Sequence, residues 1–378
     1  MKSFASISRR EFLKYLRIMA QGSLIAPFLP KASKNMALSV TEAACAPVSP
    51  SRVVRAYNAE STFWDYSTGL YTDYIREPVV RDMMGLAVQR LAGTSSVHLG
   101  WKTLFPYSPG EKVAIKGNFS EFGGEGYQKQ IYPTPQVIRA IVDGLTAHVG
   151  IPASDIYLFE LSFGLPSQGT IDRPINFVTR GGTGTLGGAD LSAPVSLRSD
   201  PGITTYVPGV LTQAAHFIDL VGMRTGGMNG SVSTDCLKNH FGTVRHDSTS
   251  NTAPYLHNDR SGNIVDIRRN THLKDKTRLI VCDLLFAATD RYMAPERWNS
   301  FPGGPTPNSI LVSKDPVAFS SVQRDYMDRE RSSRGLSISG DDYLQDAADN
   351  FGLGTYERGA FDTDFTYTTI EYVVVDMG

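Results

Sequence analysis

Five residues, Lys112-Val113-Ala114-Ile115-Lys116, form an apolar run that ends at a lysine and the step Gly117-Asn118. Thr134-Pro135 then opens an apolar-periodic segment that stops at Gly150. This pattern predicts a helix with a threonine N-cap and proline at its first position. The next run, Asp155–Leu161, is apolar enough to be a strand buried on both faces. A strand, a helix and a strand at this spacing predict a βαβ unit.

The same alternation continues on both sides of this unit. Further strands are predicted at Val53–Ala56, Ala215–Val221, Lys276–Asp283, Asn308–Ser313 and Thr368–Val375, and further helices at Glu77–Leu91, Val232–Phe241, Pro316–Arg334 and Tyr343–Asn350. Polar, glycine-rich composition predicts a turn at Met223–Ser231 and long loops at 166–209 and 245–265. The sequence therefore predicts an α/β fold with a mostly parallel, doubly wound sheet and long polar or glycine-rich loops.

The N-terminus carries an export pattern. Ser8-Arg9-Arg10-Glu11-Phe12-Leu13-Lys14 places two adjacent arginines before an apolar run at Tyr15–Leu29. The pattern predicts recognition by the twin-arginine export machinery, which carries folded proteins out of the bacterial cytoplasm. The alternative is an amphipathic N-terminal helix that contains two arginines without being a signal.

The apolar run is about 15 residues long, and a bilayer span needs ~20, so we expect a cleaved signal and not an anchor. We divide the chain into a signal peptide and linker at 1–45 and a single large α/β domain at 46–378. Small residues favour cleavage after Ala43 or Ala44, and Cys45 leaves lipoprotein anchoring as an alternative. The expected location is the periplasm or another extracytoplasmic space.

Charge and apolar patterning exclude two classes of function. Residues 1–45 hold seven Lys and Arg and two Asp and Glu, so 30 of the 37 basic and 36 of the 38 acidic residues follow, a net charge of −6. This acidic excess argues against a nucleic-acid or anionic-membrane surface. No later segment reaches ~18 uninterrupted apolar residues, so no membrane span is predicted in the mature chain.

The cysteines and glycines limit the choice of cofactor. Cys45, Cys236 and Cys282 are widely separated, which excludes an iron–sulfur cluster held by four local thiolates and a disulfide framework. The glycine clusters lack the spacing of a nucleotide-binding fingerprint, and no serine-hydrolase elbow occurs. The sequence leaves the identity of any cofactor open.

Polar residues follow the predicted strands, where ligands bind in open α/β sheets. They are Lys116, Asn118, Glu160, Asp283 and Asp315, together with Lys238, Asn239 and His240 after the middle strand. We expect the two lysines to bind an anion or developing negative charge, the two asparagines to donate hydrogen bonds, and His240 to act as an acid or base. Asp283 is a candidate to hold a metal or orient a base. The alternatives are a helix cap for Asp315 and a cation's partner for Glu160.

A second candidate is a metal site. Cys236 and His240 stand four residues apart, which puts both on one face of a predicted helix. His246 and His257 follow in a polar loop. A thiolate and imidazoles are candidate ligands for zinc, copper or nickel. The alternative is a buried cysteine with solvated loop histidines.

Several stretches together resemble one protein family. They are Val113–Asn118 (VAIKGN), Leu237–Gly242 (LKNHFG), Arg278–Asp283 (RLIVCD), Leu311–Ala318 (LVSKDPVA) and Ala347–Gly354 (AADNFGLG). In this order, over roughly Ser51–Met377, they are similar to the domain-of-unknown-function family 362. The family's activity is not established, so the resemblance implies a fold and favours a functional role for Lys238-Asn239.

This chain departs from the family pattern in two places. Many members look like ferredoxin fusions, and that cysteine module is missing here. The family has a Lys-Thr-His turn after the middle strand, where this chain has Met223-Arg224-Thr225-Gly226. Arg224 keeps the cation for substrate binding, but the histidine is lost, and with it any activity that depends on it. The family also resembles the nickel-pincer lactate racemases at the level of fold.

Two functions stay open at this point. One is an exported enzyme, cofactor- or metal-dependent, that acts on a small polar or anionic substrate by proton transfer or redox chemistry. The other is a non-catalytic periplasmic binding or assembly protein that kept the fold. Either function implies a small-molecule ligand or a protein partner besides the export machinery.

Overall fold

The computed structural model describes residues 48–119, 130–179, 186–198, 201–226, 232–245, 256, 260–290, 294–338 and 343–378 of the 378-residue chain. The chain divides into two units, Met1–Ala44 and Cys45–Gly378, and all described residues belong to the second. Among these residues, no helix is both long enough and apolar enough to cross a membrane.

Strands and helices alternate along most of the chain. The strands are β1 (Val53–Tyr57), β2 (Val113–Gly117), β3 (Ile156–Glu160), β4 (Asn176–Thr179), β5 (Ala189–Ser196), β6 (Thr204–Pro208), β7 (His216–Gly226), β8 (Val232–Ser233), β9 (Thr277–Ala288), β10 (Ser309–Ser313), β11 (Ala360–Phe361), β12 (Phe365–Thr366) and β13 (Tyr372–Asp376). The helices are α1 (Glu77–Ala92), α2 (Val97–Leu104), α3 (Pro135–Gly144), α4 (Gln168–Ile171), α5 (Gly209–Thr212), α6 (Arg260–Arg268), α7 (Thr271–Lys274), α8 (Pro316–Ser333) and α9 (Tyr343–Asp349). A short 3₁₀ helix at Lys238–Gly242 is called the 238–242 turn below.

The main sheet has the strand order β13-β1-β10-β9-β7-β2-β3-β4, with β8 paired to β7. The neighbours β9, β7, β2, β3 and β4 are parallel. β10 runs antiparallel to both β9 and β1. The predicted α/β fold with a mostly parallel sheet is therefore confirmed.

Apolar side chains pack on both faces of this sheet. Along β2, Ala114 joins the core on one face, while Val113 and Ile115 join the core on the other. Residues of α6, α8 and α9 belong to the first core, on face A, and residues of α1, α2 and α3 belong to the second, on face B. A strand covered on both faces needs apolar residues at successive positions, as β2 has.

Some predicted elements differ from those in the structure. The predicted turn at Met223–Ser231 begins as strand, because β7 continues to Gly226, and residues 227–231 lie outside the described residues. The helix predicted at Val232–Phe241 is present only in part, since the strand β8 occupies its start and the 3₁₀ helix of the 238–242 turn occupies its end.

The two predicted loops also contain regular structure. The stretch 166–209 holds α4, β4, β5 and β6, and α6 begins inside 245–265. In β5 several side chains are exposed, Leu191 among them. A surface strand with polar residues on its solvent side resembles a loop in composition. The closing strand begins at Tyr372, because Thr368 and Thr369 instead donate their N–H and hydroxyl groups to Glu357.

The direction of β10 separates Asp315 from the other strand-end residues. Ser313, the last residue of β10, pairs with Ile280 near the start of β9. The chain therefore leaves β10 at the opposite edge of the sheet from the ends of β2 and β3, and Asp315 does not lie where the sequence analysis expected it. Its carboxylate Oδ1 accepts the N–H groups of Val317 and Ala318, both at 2.9 Å, at the start of α8.

We predict that Asp315→Ala destabilises the protein by about 1–2 kcal/mol, because it removes the N-cap of α8. Urea unfolding of the full chain measures this loss. Asp82→Ala, at an exposed position of α1, is the control and should change stability by less than about 0.5 kcal/mol. Equal effects of the two substitutions would contradict the capping role.

Candidate functional site

Lys116 lies near the end of β2 and is fully enclosed, with 1 % of its surface exposed. Its ammonium donates to Glu160 Oε2 at 2.7 Å, to the Gly117 carbonyl at 2.8 Å and to Asn239 Oδ1 at 3.1 Å. An ammonium has three hydrogens, so each has an acceptor here. Lys116 on β2 therefore links this strand by hydrogen bonds to the end of β3 and to the 238–242 turn.

Asp219 continues this network on β7, where it pairs in register with Lys116 on β2. Its Oδ1 accepts the Asn239 side-chain N–H at 2.6 Å. His240 Nε2 lies 3.1 Å from Asp219 Oδ2, a distance that gives an ion pair when the imidazole is protonated, but it is off the line of a hydrogen bond. Glu160, Lys116, Asn239, Asp219 and His240 thus form one contiguous set, called the polar cluster below.

The 238–242 turn supplies two members of the polar cluster. Asn239 bridges Lys116 and Asp219 through the two ends of its amide. His240 is 0 % exposed, and its Nδ1 lies 3.3 Å from the Thr243 hydroxyl. These contacts favour the tautomer with the proton on Nε2, facing Asp219, and with Nδ1 accepting from Thr243.

The electrostatics of the polar cluster keep His240 neutral at pH 7. Burial lowers the pKa of His240 from its usual 6.5, the Asp219 carboxylate opposes this effect, and the Arg268 and Lys116 cations add to it. A neutral imidazole beside a carboxylate is an arrangement that accepts a proton, because the carboxylate stabilises the imidazolium that forms.

Gly242 allows the 238–242 turn to approach the ion pair. A Cβ at this position would lie 3.1 Å from Glu160 Oε1 and 3.4 Å from both Lys116 Nζ and the Ser162 hydroxyl. The Ser162 N–H donates to Glu160 Oε1 at 2.8 Å. Among the described residues, the buried Ser162 hydroxyl has no hydrogen-bond partner. The polar cluster therefore lies next to the Ser162 hydroxyl, to which a ligand or a water molecule would hydrogen-bond.

Asp283 lies on the other face of the sheet. Its neighbours Val281 and Leu285 belong to the core of face B, while Lys116 and Asp219 alternate with residues of face B and point to face A. Its Oδ2 accepts the Thr134 N–H at 2.7 Å and the Thr134 hydroxyl at 2.6 Å. The Thr134 side chain thus donates to Asp283 and does not cap α3, contrary to the sequence prediction.

The remaining predicted site residues lie nearby but outside the polar cluster. Arg224 donates to Asn118 Oδ1 at 3.0 Å, so these two residues form a buried pair. Lys238 is buried too, and its backbone N–H donates to Asp235 Oδ1 at 2.9 Å. Burial raises the pKa of Asp235, and the Lys238 cation opposes this rise. Lys238 therefore lies in the electrostatic neighbourhood of Asp235.

Two of the four proposed metal ligands, Cys236 and His240, belong to the described residues. Cys236 is buried with its Sγ 3.4 Å from the Pro316 carbonyl and from the Ser320 hydroxyl, and burial raises its pKa well above the usual range. His246 and His257 lie outside the described residues. Within the described part of the chain, no group of three or more His, Cys, Asp or Glu residues is arranged to hold a metal.

Asp219 is the member of the polar cluster that the sequence analysis missed. It interrupts the apolar run of the strand predicted at Ala215–Val221, and an acid at a buried strand position needs a partner. That signal was present in the sequence, but it gives no hint of which residue the partner is.

Comparisons with known proteins add nothing to this picture, because no family model and no curated protein matches the chain.

We predict strong coupling between Lys116 and Glu160. Lys116→Met leaves the Glu160 carboxylate buried without its cation, which costs about 3–5 kcal/mol. Adding Glu160→Gln should recover part of this loss. The free energy of unfolding of the double variant should therefore exceed the value expected from adding the two single losses by at least about 1 kcal/mol. Urea unfolding of the four proteins measures the coupling.

The exposed pair Arg76–Glu60 provides the control for this cycle, with side chains 44 % and 68 % exposed. The same substitutions there should change stability by less than about 1 kcal/mol. Additive effects at Lys116 and Glu160 would show that the buried ion pair does not join β2 to β3 as described.

Proposed function

We propose that this chain is an exported enzyme in which His240 and Asp219 form an acid–base centre that acts on a small polar or anionic substrate. The observation that supports the proposal is the burial of Lys116, Glu160, Asp219 and His240 in one contiguous set. Burying each ion costs several kcal/mol. Apolar residues of similar volume often give a core that is at least as stable. Buried titratable groups are therefore concentrated at functional sites, and burial lowers the pKa of His240 in this set.

In the proposed reaction, neutral His240 takes a proton from the substrate on Nδ1, the ring nitrogen that carries no proton, and Asp219 next to Nε2 stabilises the resulting imidazolium. Asn239 orients Asp219 through the 2.6 Å hydrogen bond from its amide. Lys116 acts as a positioning residue, because its three hydrogens are already used within the protein. A substrate reaches His240 only when the 238–242 turn moves, since His240 has no exposed surface.

The proposal includes membership of the domain-of-unknown-function family 362 and export by the twin-arginine route to the periplasm. The stretches Leu237–Gly242 and Ser8–Lys14 support these two points. The replacement at Met223–Gly226 separates this chain from members with a histidine there. A base at His240 would allow proton transfer to continue without that residue.

We predict that the protein purified from the periplasm carries a bound small molecule, detected by native mass spectrometry with elemental analysis. Turnover of that molecule or a close relative should fall by about 10²–10⁴-fold in His240→Gln, the range for loss of a general base. His98→Gln removes an exposed histidine and should keep full activity. Protein without bound molecule or turnover would instead support the non-catalytic alternative.

We also predict that export depends on the arginine pair. Replacing Arg9 and Arg10 together by lysine should retain the protein in the cytoplasm, because the twin-arginine address requires both residues. Cell fractionation measures the distribution, and Arg17→Lys is the matched control that should leave export unchanged. Periplasmic delivery of the double-lysine variant would contradict this route.

A further inference from the structure

A second cavity lies where the chain leaves β10, at the opposite edge of the sheet from the strand ends that hold Lys116. Its volume is about 490 Å³. Three cations line it, namely Arg268 at the end of α6, Lys274 at the end of α7 and Lys314 after β10, together with Asp315 and Gly352–Gly354. Arg268 interacts electrostatically with Asp219 and His240 of the polar cluster, but the inference drawn below does not rest on the function proposed for that cluster.

Arg268 is a buried cation whose hydrogen-bonding capacity is mostly unused. It is 3 % exposed, and its Nη2 donates to the Thr277 hydroxyl at 3.0 Å. Its Nε and Nη1 are buried and have no hydrogen-bond partner among the described residues. Burial lowers the pKa of Arg268 in spite of the carboxylates of Asp219, Asp315 and Asp275. A buried guanidinium with unused N–H groups is costly unless a hydrogen-bond acceptor comes close to them.

The carboxylate in the cavity wall is already engaged. Asp315 Oδ1 accepts from the start of α8, and Oδ2 accepts the Thr355 N–H at 2.8 Å. Gly354 packs against the same group with φ of 157°, and a Cβ there would overlap Oδ1. Asp315 is therefore a structural part of the wall.

The cations of the lining indicate the ligand. Lys274 and Lys314 are exposed, and Arg268 is buried. The lining holds these three cations and the Asp315 carboxylate, while Asp219 and Asp275 act on Arg268 from outside the lining. A group with three or more oxygens on one atom can accept from the Arg268 guanidinium and from both lysines at once, which the two oxygens of a single carboxylate cannot.

We propose that this cavity binds the phosphate group of a small molecule, with Arg268 as the buried cation and Lys274 and Lys314 closing over the phosphate oxygens.

Isothermal titration calorimetry on the full chain tests the proposal with four probes: inorganic phosphate, glycerol phosphate, succinate and chloride. We expect saturable binding of at least one phosphate compound and none of succinate or chloride. Tighter binding of glycerol phosphate would identify an ester as the ligand, and tighter binding of inorganic phosphate would identify the free ion.

Two exposed lysines provide matched variants. Lys314→Gln should weaken binding about fivefold, which corresponds to one surface charge interaction of about 1 kcal/mol, whereas Lys102→Gln on α2 should leave it unchanged. Arg268→Gln should abolish binding. Absence of phosphate binding, succinate binding of equal strength, or equal affinity of the Lys314 and Lys102 variants would each overturn the proposal.

Discussion

The ion pair between Lys116 and Glu160 is the interaction on which the centre of this protein depends. It joins the ends of two parallel strands, and through Asn239 it fixes the 238–242 turn to the sheet. An ammonium this deeply buried is tolerated only because each of its hydrogens has an acceptor. The positions of Asp219 and His240 follow from that anchor, since Asn239 holds Asp219 and His240 is the next residue.

The same sheet has different chemistry at its two edges. Where the parallel strands end, the polar cluster contains two buried carboxylates, one buried ammonium and one neutral imidazole. Where β10 ends, the chain gathers three cations around a cavity and uses its one carboxylate as a helix cap. The reversal of β10 produces this division, because it brings Lys314 and Asp315 to the edge where α6 ends.

The fold was largely predictable because β2, β3 and β9 carry apolar runs that only a doubly covered sheet can bury. Lys116, Glu160, Asn239 and His240 were also found from their positions after strands, and they do come together. Asp283 did not join them, because the face it occupies depends on side-chain alternation along a strand whose length the sequence underestimated.

Asp315 and Asp219 show two further limits. No local pattern reveals that β10 runs against its neighbours, since strand direction is set by tertiary packing. Asp219 stands inside an apolar strand, and its partners come from a segment 20 residues further along the chain. Contacts of this kind depend on the complete fold, so residue pattern alone does not predict them.

The most direct test of the acid–base centre is an NMR titration of the His240 ring, compared between the natural protein and Asp219→Asn. Burial lowers the pKa of His240 by more than the Asp219 carboxylate raises it, so His240 should titrate below 6.5 in the natural protein. Removing the Asp219 charge should lower the pKa further, because that carboxylate favours the imidazolium. A His240 pKa at or above 6.5, or one that does not respond to Asp219→Asn, would contradict the account.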